Sequence, residues 1–107
     1  MVREIGRVES VLTTDNYVDL IAVELPRHDP ANLLLIWLKE ENVNAIKYTV
    51  FASNDGVTWE TVKAETIIAK DGSTWESVSD PWIVVKVLQK ASVGGSQGRS
   101  TCIISAV

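Results

Sequence analysis

The sequence predicts an all-β fold, a sandwich or barrel of about eight mostly antiparallel strands. Three observations carry this. Val, Ile and Thr supply 32 of 107 residues, and their branched side chains favour the pleated strand over the helix. No window shows apolar residues at i, i+3, i+4 and i+7, the stripe of an amphipathic helix. Turn signals recur at short spacing instead, as in all-β folds.

The signals divide the chain in order. Strand 4–13 runs to Thr14-Asp15-Asn16. Strand 18–25 ends at Pro26-Arg27-His28-Asp29-Pro30, where two prolines cannot donate to a ladder and so mark a crossover between sheets. Strand 33–39 stops at Glu41-Asn42-Val43-Asn44, and strand 45–53 at Asn54-Asp55-Gly56. Strand 57–68 precedes Asp71-Gly72, strand 74–78 precedes Ser79-Asp80-Pro81, and strands 82–91 and 100–106 flank a glycine-rich segment. The two Asp-Gly pairs read as type I′ hairpin turns, which need φ > 0 at both central residues. Segment 92–100, with three glycines and three serines, reads as a mobile loop, exposed or ordered only against another chain. Cleavage near Arg99 is the expected sign.

Alternation sorts the faces. Ile46, Tyr48, Val50 and Ala52 share one side of their strand, with Lys47, Thr49 and Phe51 opposite. Two strands are apolar on both sides. In 33–38, Leu33, Leu35 and Trp37 oppose Leu34, Ile36 and Leu38; in 82–88, Ile83, Val85 and Val87 oppose Trp82, Val84 and Leu88. One face of an antiparallel sandwich sheet is normally wet, so the second apolar face needs cover. The expectation is self-association as a dimer or trimer, or docking onto a larger protein shell. Leu34, Ile36, Leu38, Val84 and Leu88 are the candidate interface, depending on which face turns inward.

Asp55-Gly56-Val57-Thr58-Trp59-Glu60-Thr61-Val62 recurs sixteen residues later as Asp71-Gly72-Ser73-Thr74-Trp75-Glu76-Ser77-Val78. As structure, this is a β-meander with a Trp packed over each hairpin end; Trp59, with Tyr48 and Val50 on the preceding strand, is expected to be mainly a packing residue. As function, the indoles are platforms for a sugar ring or a partner side chain, since an aromatic face offers large area at low entropy cost. Trp59, Trp75 and Trp82 are the candidate sugar or partner contacts.

Tyr48-x-Val50-x-x-Ser53-x-Asp55-Gly56-x-x-Trp59-x-x-Val62, led by the strand Leu33–Leu38, resembles the middle of a discoidin-like domain, the coagulation factor C-type jelly roll. Pro81–Val87 stands where that family has a late basic strand. The resemblance covers about half of the chain and implies an antiparallel β-sandwich of jelly-roll type, 1–107 forming one domain, with carbohydrate as a possible ligand. The early spike loops and the arginines of the basic strand are missing here, so no ligand site carries over by residue. In size and style the chain also resembles small virion proteins of tailed phages.

Composition and motifs exclude much else. A net charge of −4 argues against nucleic acid as partner. The longest apolar run, Leu33–Leu38, is far too short to span a membrane. Met1–Arg7 has no apolar core of a signal peptide. His28, the lone histidine, sits in a loop beside Asp29 with no nucleophile in view. One Cys and one His cannot make a zinc site. Asp15, Asp19, Asn54 and Asp55 lack calcium-loop spacing. Glu40 and Glu41 are adjacent, so they point apart and solubilise a turn. Gly94-Gly95-x-x-Gly98 leads to no helix and is no phosphate loop. Cys102 reads as a small buried hydrophobe. No catalytic residue, cofactor or metal is therefore expected. The expected function is a non-enzymatic structural or assembly protein, a phage capsid-decoration or tail component made in the cytoplasm and carried in the virion. The alternative is a small discoidin-like carbohydrate-binding module.

Overall fold

The computed structural model describes residues 3–24, 34–40, 44–79 and 82–106, with backbone only at 34 and 35. The crossover 26–30 with His28, and Glu41, lie outside the described residues. Eight strands follow in order: β1 (Arg3–Leu12), β2 (Val18–Glu24), β3 (Leu34–Glu40), β4 (Ile46–Ser53), β5 (Glu60–Ile68), β6 (Ser73–Val78), β7 (Val84–Ala91) and β8 (Arg99–Ala106). Each expected strand is present, with ends within three residues.

The strands make two antiparallel four-stranded sheets, β1-β8-β3-β6 and β2-β7-β4-β5. Every strand pairs with the one whose number brings the sum to nine: β1 with β8, β2 with β7, β3 with β6, β4 with β5. This is a long antiparallel ribbon rolled up on itself, the jelly-roll form of the sandwich.

The core lies between the sheets. Ile36, Leu38, Cys102 and Ile104 from the first sheet meet Ile46, Tyr48, Val50, Val85 and Val87 from the second, all fully buried. Gly6 belongs to this seam, since a Cβ there would come within 2.9 Å of Val23. The two-faced strands thus resolve unequally. Ile36 and Leu38 turn inward and are unavailable as interface, because each is sealed by the opposite sheet. Val84 and Leu88 turn outward and are half-buried, and the side chain of Leu34 lies outside the described residues.

Neither Asp-Gly pair forms a type I′ turn. At the first, only Gly56 has positive φ (78°). Asp55 Oδ1 accepts the amides of Val57 (2.8 Å) and Thr58 (2.7 Å), which holds 57–59 out of the ladder and delays β5. At the second, Asp71 has φ 63° and Gly72 N donates to Ala69 O at 2.8 Å. That turn joins no hairpin, because β5 and β6 lie in different sheets. Glu40 does not solubilise a turn either. It is fully buried, and its carboxylate accepts the amide of Asp71, pinning the crossover.

Segment 92–98 packs on its own chain. Asp15 Oδ1 accepts Gly95 N (2.9 Å) and Gln97 Nε2 (2.8 Å), Asn44 Nδ2 donates to Gln97 O (2.7 Å), and Thr13 and Gly98 exchange two bonds. Glycine is required at 98, where a Cβ would stand 2.6 Å from Asn44 O. Arg99 reaches Ser10 O at 2.9 Å. The loop is built, contrary to its flexible composition.

Candidate functional site

The outer faces of the two sheets differ in kind. On the second sheet, long charged side chains lie over apolar neighbours. Lys86 Nζ sits 4.1 Å from the Trp59 ring centre and 3.8 Å from Asp19; Lys90 Nζ sits 4.8 Å from the Tyr17 ring centre and 3.5 Å from Glu65. Lys47 also reaches Glu65, at 3.7 Å, and the Tyr17 hydroxyl donates to it at 2.7 Å. That hydroxyl, with the two lysines behind it, holds the Glu65 carboxyl below its ordinary pKa. Burial, and then Glu65, push the Tyr17 phenol up. Val84, Leu88 and Phe51 are half-buried on this face, as expected where lysine stems cover apolar surface and the ammonium stays wet.

The first sheet is built differently along its middle. Registered partners form a row across all four strands: Arg7 on β1, Ile103 on β8, Trp37 on β3, Trp75 on β6. The neighbours of Ile103 and Trp37 in their own strands, Cys102, Ile104, Ile36 and Leu38, point into the core, so the row points out. Trp37 and Ile103 are half-buried and Trp75 is 64% exposed. The two indoles touch, with ring centres 6.3 Å apart and planes at 43°. The flanking rows are more polar: Glu4, Ser105 and Ser77 on one side, with Leu35 in register between the two serines, and Thr101, Lys39 and Ser73 on the other. At the β1 end, Arg7 is held flat. Its Nε and Nη2 donate to Glu4 (Nη2 at 2.7 Å) and its Nη1 to Glu9 at 2.9 Å.

The expected aromatic contacts are not brought together. Trp75 stands on the first sheet. Trp59 lies on the outer face of the second, against Lys86 and away from core-facing Tyr48 and Val50, so it does not pack into the hairpin core as its sequence position suggests. Trp82 packs against the core edge and lines an open hollow of about 280 Å³ with Asn54, Asp55, Thr58 and Glu60. In that hollow the amides of Thr58 and Val57, with the Ser53 hydroxyl, pull the Asp55 carboxyl down to about 2. Trp37, the centre of the aromatic row, was not singled out from sequence; its register with Trp75 is a property of the sheet. Among the described residues no three His, Cys, Asp or Glu side chains converge.

No protein-family model matches the chain, and no curated protein matches it. Solved structures do. PirA is 10% identical with a TM-score of 0.66, covering 94% of this chain and 93% of its own. A protein of the disulfide-linked pili that form Bacillus endospore appendages is 13% identical with a TM-score of 0.60, covering 100% of this chain and 87% of its own. VP2 of the infectious bursal disease virus subviral particle is 16% identical with a TM-score of 0.51; it matches 99% of this chain, which spans 32% of VP2. At these identities the likeness is one of fold.

Proposed function

We propose that this chain is a non-enzymatic structural subunit that associates with copies of itself through the outer face of the first sheet. The Ile103–Trp37–Trp75 row carries the reading, because it is a continuous apolar strip across three strands that ends on Trp75 at 64% exposure, whereas on the second sheet lysine stems cross the apolar side chains and Ile67 stands bare on the edge strand. Soluble monomers rarely keep such patches unless they are used, and Trp and Arg dominate contact energies. The fold is shared with a pilus protein and a viral particle protein, which supports an assembly role. Placement in a phage particle, as a decoration or tail protein made in the cytoplasm, is the finer form of the same proposal.

The size of the face sets the strength. Four strands about 4.8 Å apart and about seven residues long give a footprint of roughly 19 by 23 Å, near 440 Å². A standard interface buries about 800 Å² per partner. The contact is therefore weaker than a standard one, and association depends on concentration. Sedimentation equilibrium tests it. Mass should rise above 11.8 kDa with concentration in the micromolar range and fall back in Trp75→Ser. A single 11.8 kDa species at every concentration refutes the proposal.

The hollow under Trp82 favours a second reading, a discoidin-like carbohydrate module, with Asn54, Thr58 and Glu60 facing a ring stacked on the indole. Calorimetric titration with neutral mono- and disaccharides separates it: saturable binding lost in Trp82→Ala supports it, and no heat at millimolar sugar removes it.

A further inference from the structure

We infer that two copies stack first sheet on first sheet across a two-fold axis parallel to the strands and passing between β8 and β3, so that Arg7 of each lies on the partner's Trp75. This rests on the self-association proposed above and gives it a geometry. The row runs Arg7, Ile103, Trp37, Trp75. Rotation about an axis between its second and third members reverses its order. Arg7 then meets the partner's Trp75, and Ile103 meets the partner's Trp37. Both pairings are complementary, a cation on an indole face and an aliphatic chain on an indole.

The state of Arg7 supports this. All three guanidinium nitrogens already donate in plane to Glu4 and Glu9. These bonds use three of its five N–H groups, so the orientation of the guanidinium is set before contact and its flat face is free to meet a ring. The same rotation sets Glu4 opposite the partner's Ser77, which places a hydroxyl donor before a carboxylate. The other in-plane axis, perpendicular to the strands, sets the Glu4–Arg7–Glu9 cluster against its own copy. Two clusters of equal net charge would then meet, and each Trp75 would lie on a Trp75 with no cation near. Like charges face to face disfavour that arrangement. Either axis keeps the strands of the two sheets aligned, within the 30° or so usual for stacked sheets, so the charges and rings decide between them.

The test uses thiol cross-linking. Facing sheets stand about 10 Å apart, too far for a disulfide, so a short bis-maleimide is used on Glu4→Cys and Ser77→Cys proteins. The native Cys102 is fully buried and leaves no background. A mixture of the two variants should give the mixed cross-linked dimer, while each variant alone should not cross-link. In parallel, Arg7→Ala and Trp75→Ala should each raise the dimer dissociation constant on the order of tenfold, and the double variant should be no worse than the weaker-binding single one. Dimers in sedimentation without the mixed adduct, or independent effects of Arg7 and Trp75, overturn the arrangement and leave self-association standing. Absence of any dimer overturns both.

Discussion

Tyr48→Phe removes one atom from the centre of the sandwich and leaves its shape unchanged. Tyr48 is fully buried, and its hydroxyl donates across the core to Glu76, which also faces Lys63 at 3.6 Å. A hydrogen bond to a charged acceptor contributes about 1.5–3 kcal/mol. Part of that is recovered here, because the Glu76 side chain keeps 17% exposure and its lysine. The expected loss is therefore about 1–2 kcal/mol at pH 7. With an unfolding entropy of about 2.1 cal/mol/K per residue, this lowers Tm by about 4–9 °C for a chain of this length. A second signature is independent of that magnitude. Burial first, and Glu76 second, push the Tyr48 phenol up to about 12. Unfolded tyrosine releases its proton near pH 10, while the folded phenol keeps it. Unfolding then releases a proton, so this contribution is complete below pH 10 and is lost between pH 10 and about 12. Urea melts of both proteins at pH 7 and across pH 9–11.5 measure this. Tyr48→Phe should lose less stability on the alkaline limb. Equal stability at pH 7, or parallel alkaline limbs, would show that the Tyr48–Glu76 bond does not join the sheets as described.

Gly98→Ala brings a Cβ to 2.6 Å from Asn44 O and 2.7 Å from Ile46 Cγ2, so it should cost about 1–3 kcal/mol; an unchanged denaturation midpoint would mean that the 92–98 loop is not pinned. Trypsin should cut slowly at Arg99, and Asp15→Ala, which removes the acceptor for Gly95 and Gln97, should speed that cut severalfold; equal rates in both proteins would restore the mobile loop. Asp55 is held down at about 2, so its contribution is full above about pH 4 and is lost as pH falls towards 2; Asp55→Asn should flatten that part of the acid limb, and an identical acid limb would refute the role. Burial pushes the Cys102 thiol up to about 12, so a thiol reagent should label it only after unfolding; prompt labelling of the native protein would contradict its place in the core.

The strands were legible because two local signals coincide in them, alternation of apolar residues and punctuation by turn residues. Pairing was not. Asp55-Gly56 and Asp71-Gly72 look alike in sequence, yet one closes the β4–β5 hairpin and the other carries the chain between sheets. The difference rests on Glu40, thirty-one residues before Asp71, and adjacency to Glu41 gave no sign of its burial. Glycine content made 92–100 look mobile, but Gly98 answers a steric limit set by Asn44 and Ile46, and Asp15 holds the loop from eighty residues away. At the site, periodicity found two-faced strands without saying which face turns in. Where both sides of 33–38 are apolar, only the opposite sheet decides, and it selected Ile36 and Leu38.

Side-chain length separates the two outer faces. On the second sheet Lys47, Lys86 and Lys90 rise beside Phe51, Leu88, Tyr17 and Trp59, and acids at Asp19 and Glu65 hold their ends. A four-carbon stem covers a neighbouring ring and still keeps its charge in water. On the first sheet Ser73, Ser77, Thr101 and Ser105 stand beside the indoles and are too short to reach over them, and Lys39, two residues from Trp37 on the same face, is the one lysine among these described neighbours. The single long cation in the row, Arg7, is drawn to the β1 edge by Glu4 and Glu9 and away from Trp75. Hydroxyl groups next to the rings keep the strip flat enough for another sheet to approach. Lysines in place of those four hydroxyl residues would add to Lys39 and shield the rings. The two outer faces thus differ in degree: Lys47, Lys86 and Lys90 cross the second sheet, where Ile67 on the edge strand is still bare, while beside the indoles of the first sheet Lys39 stands among hydroxyl residues that have no part in the hydrophobic cluster.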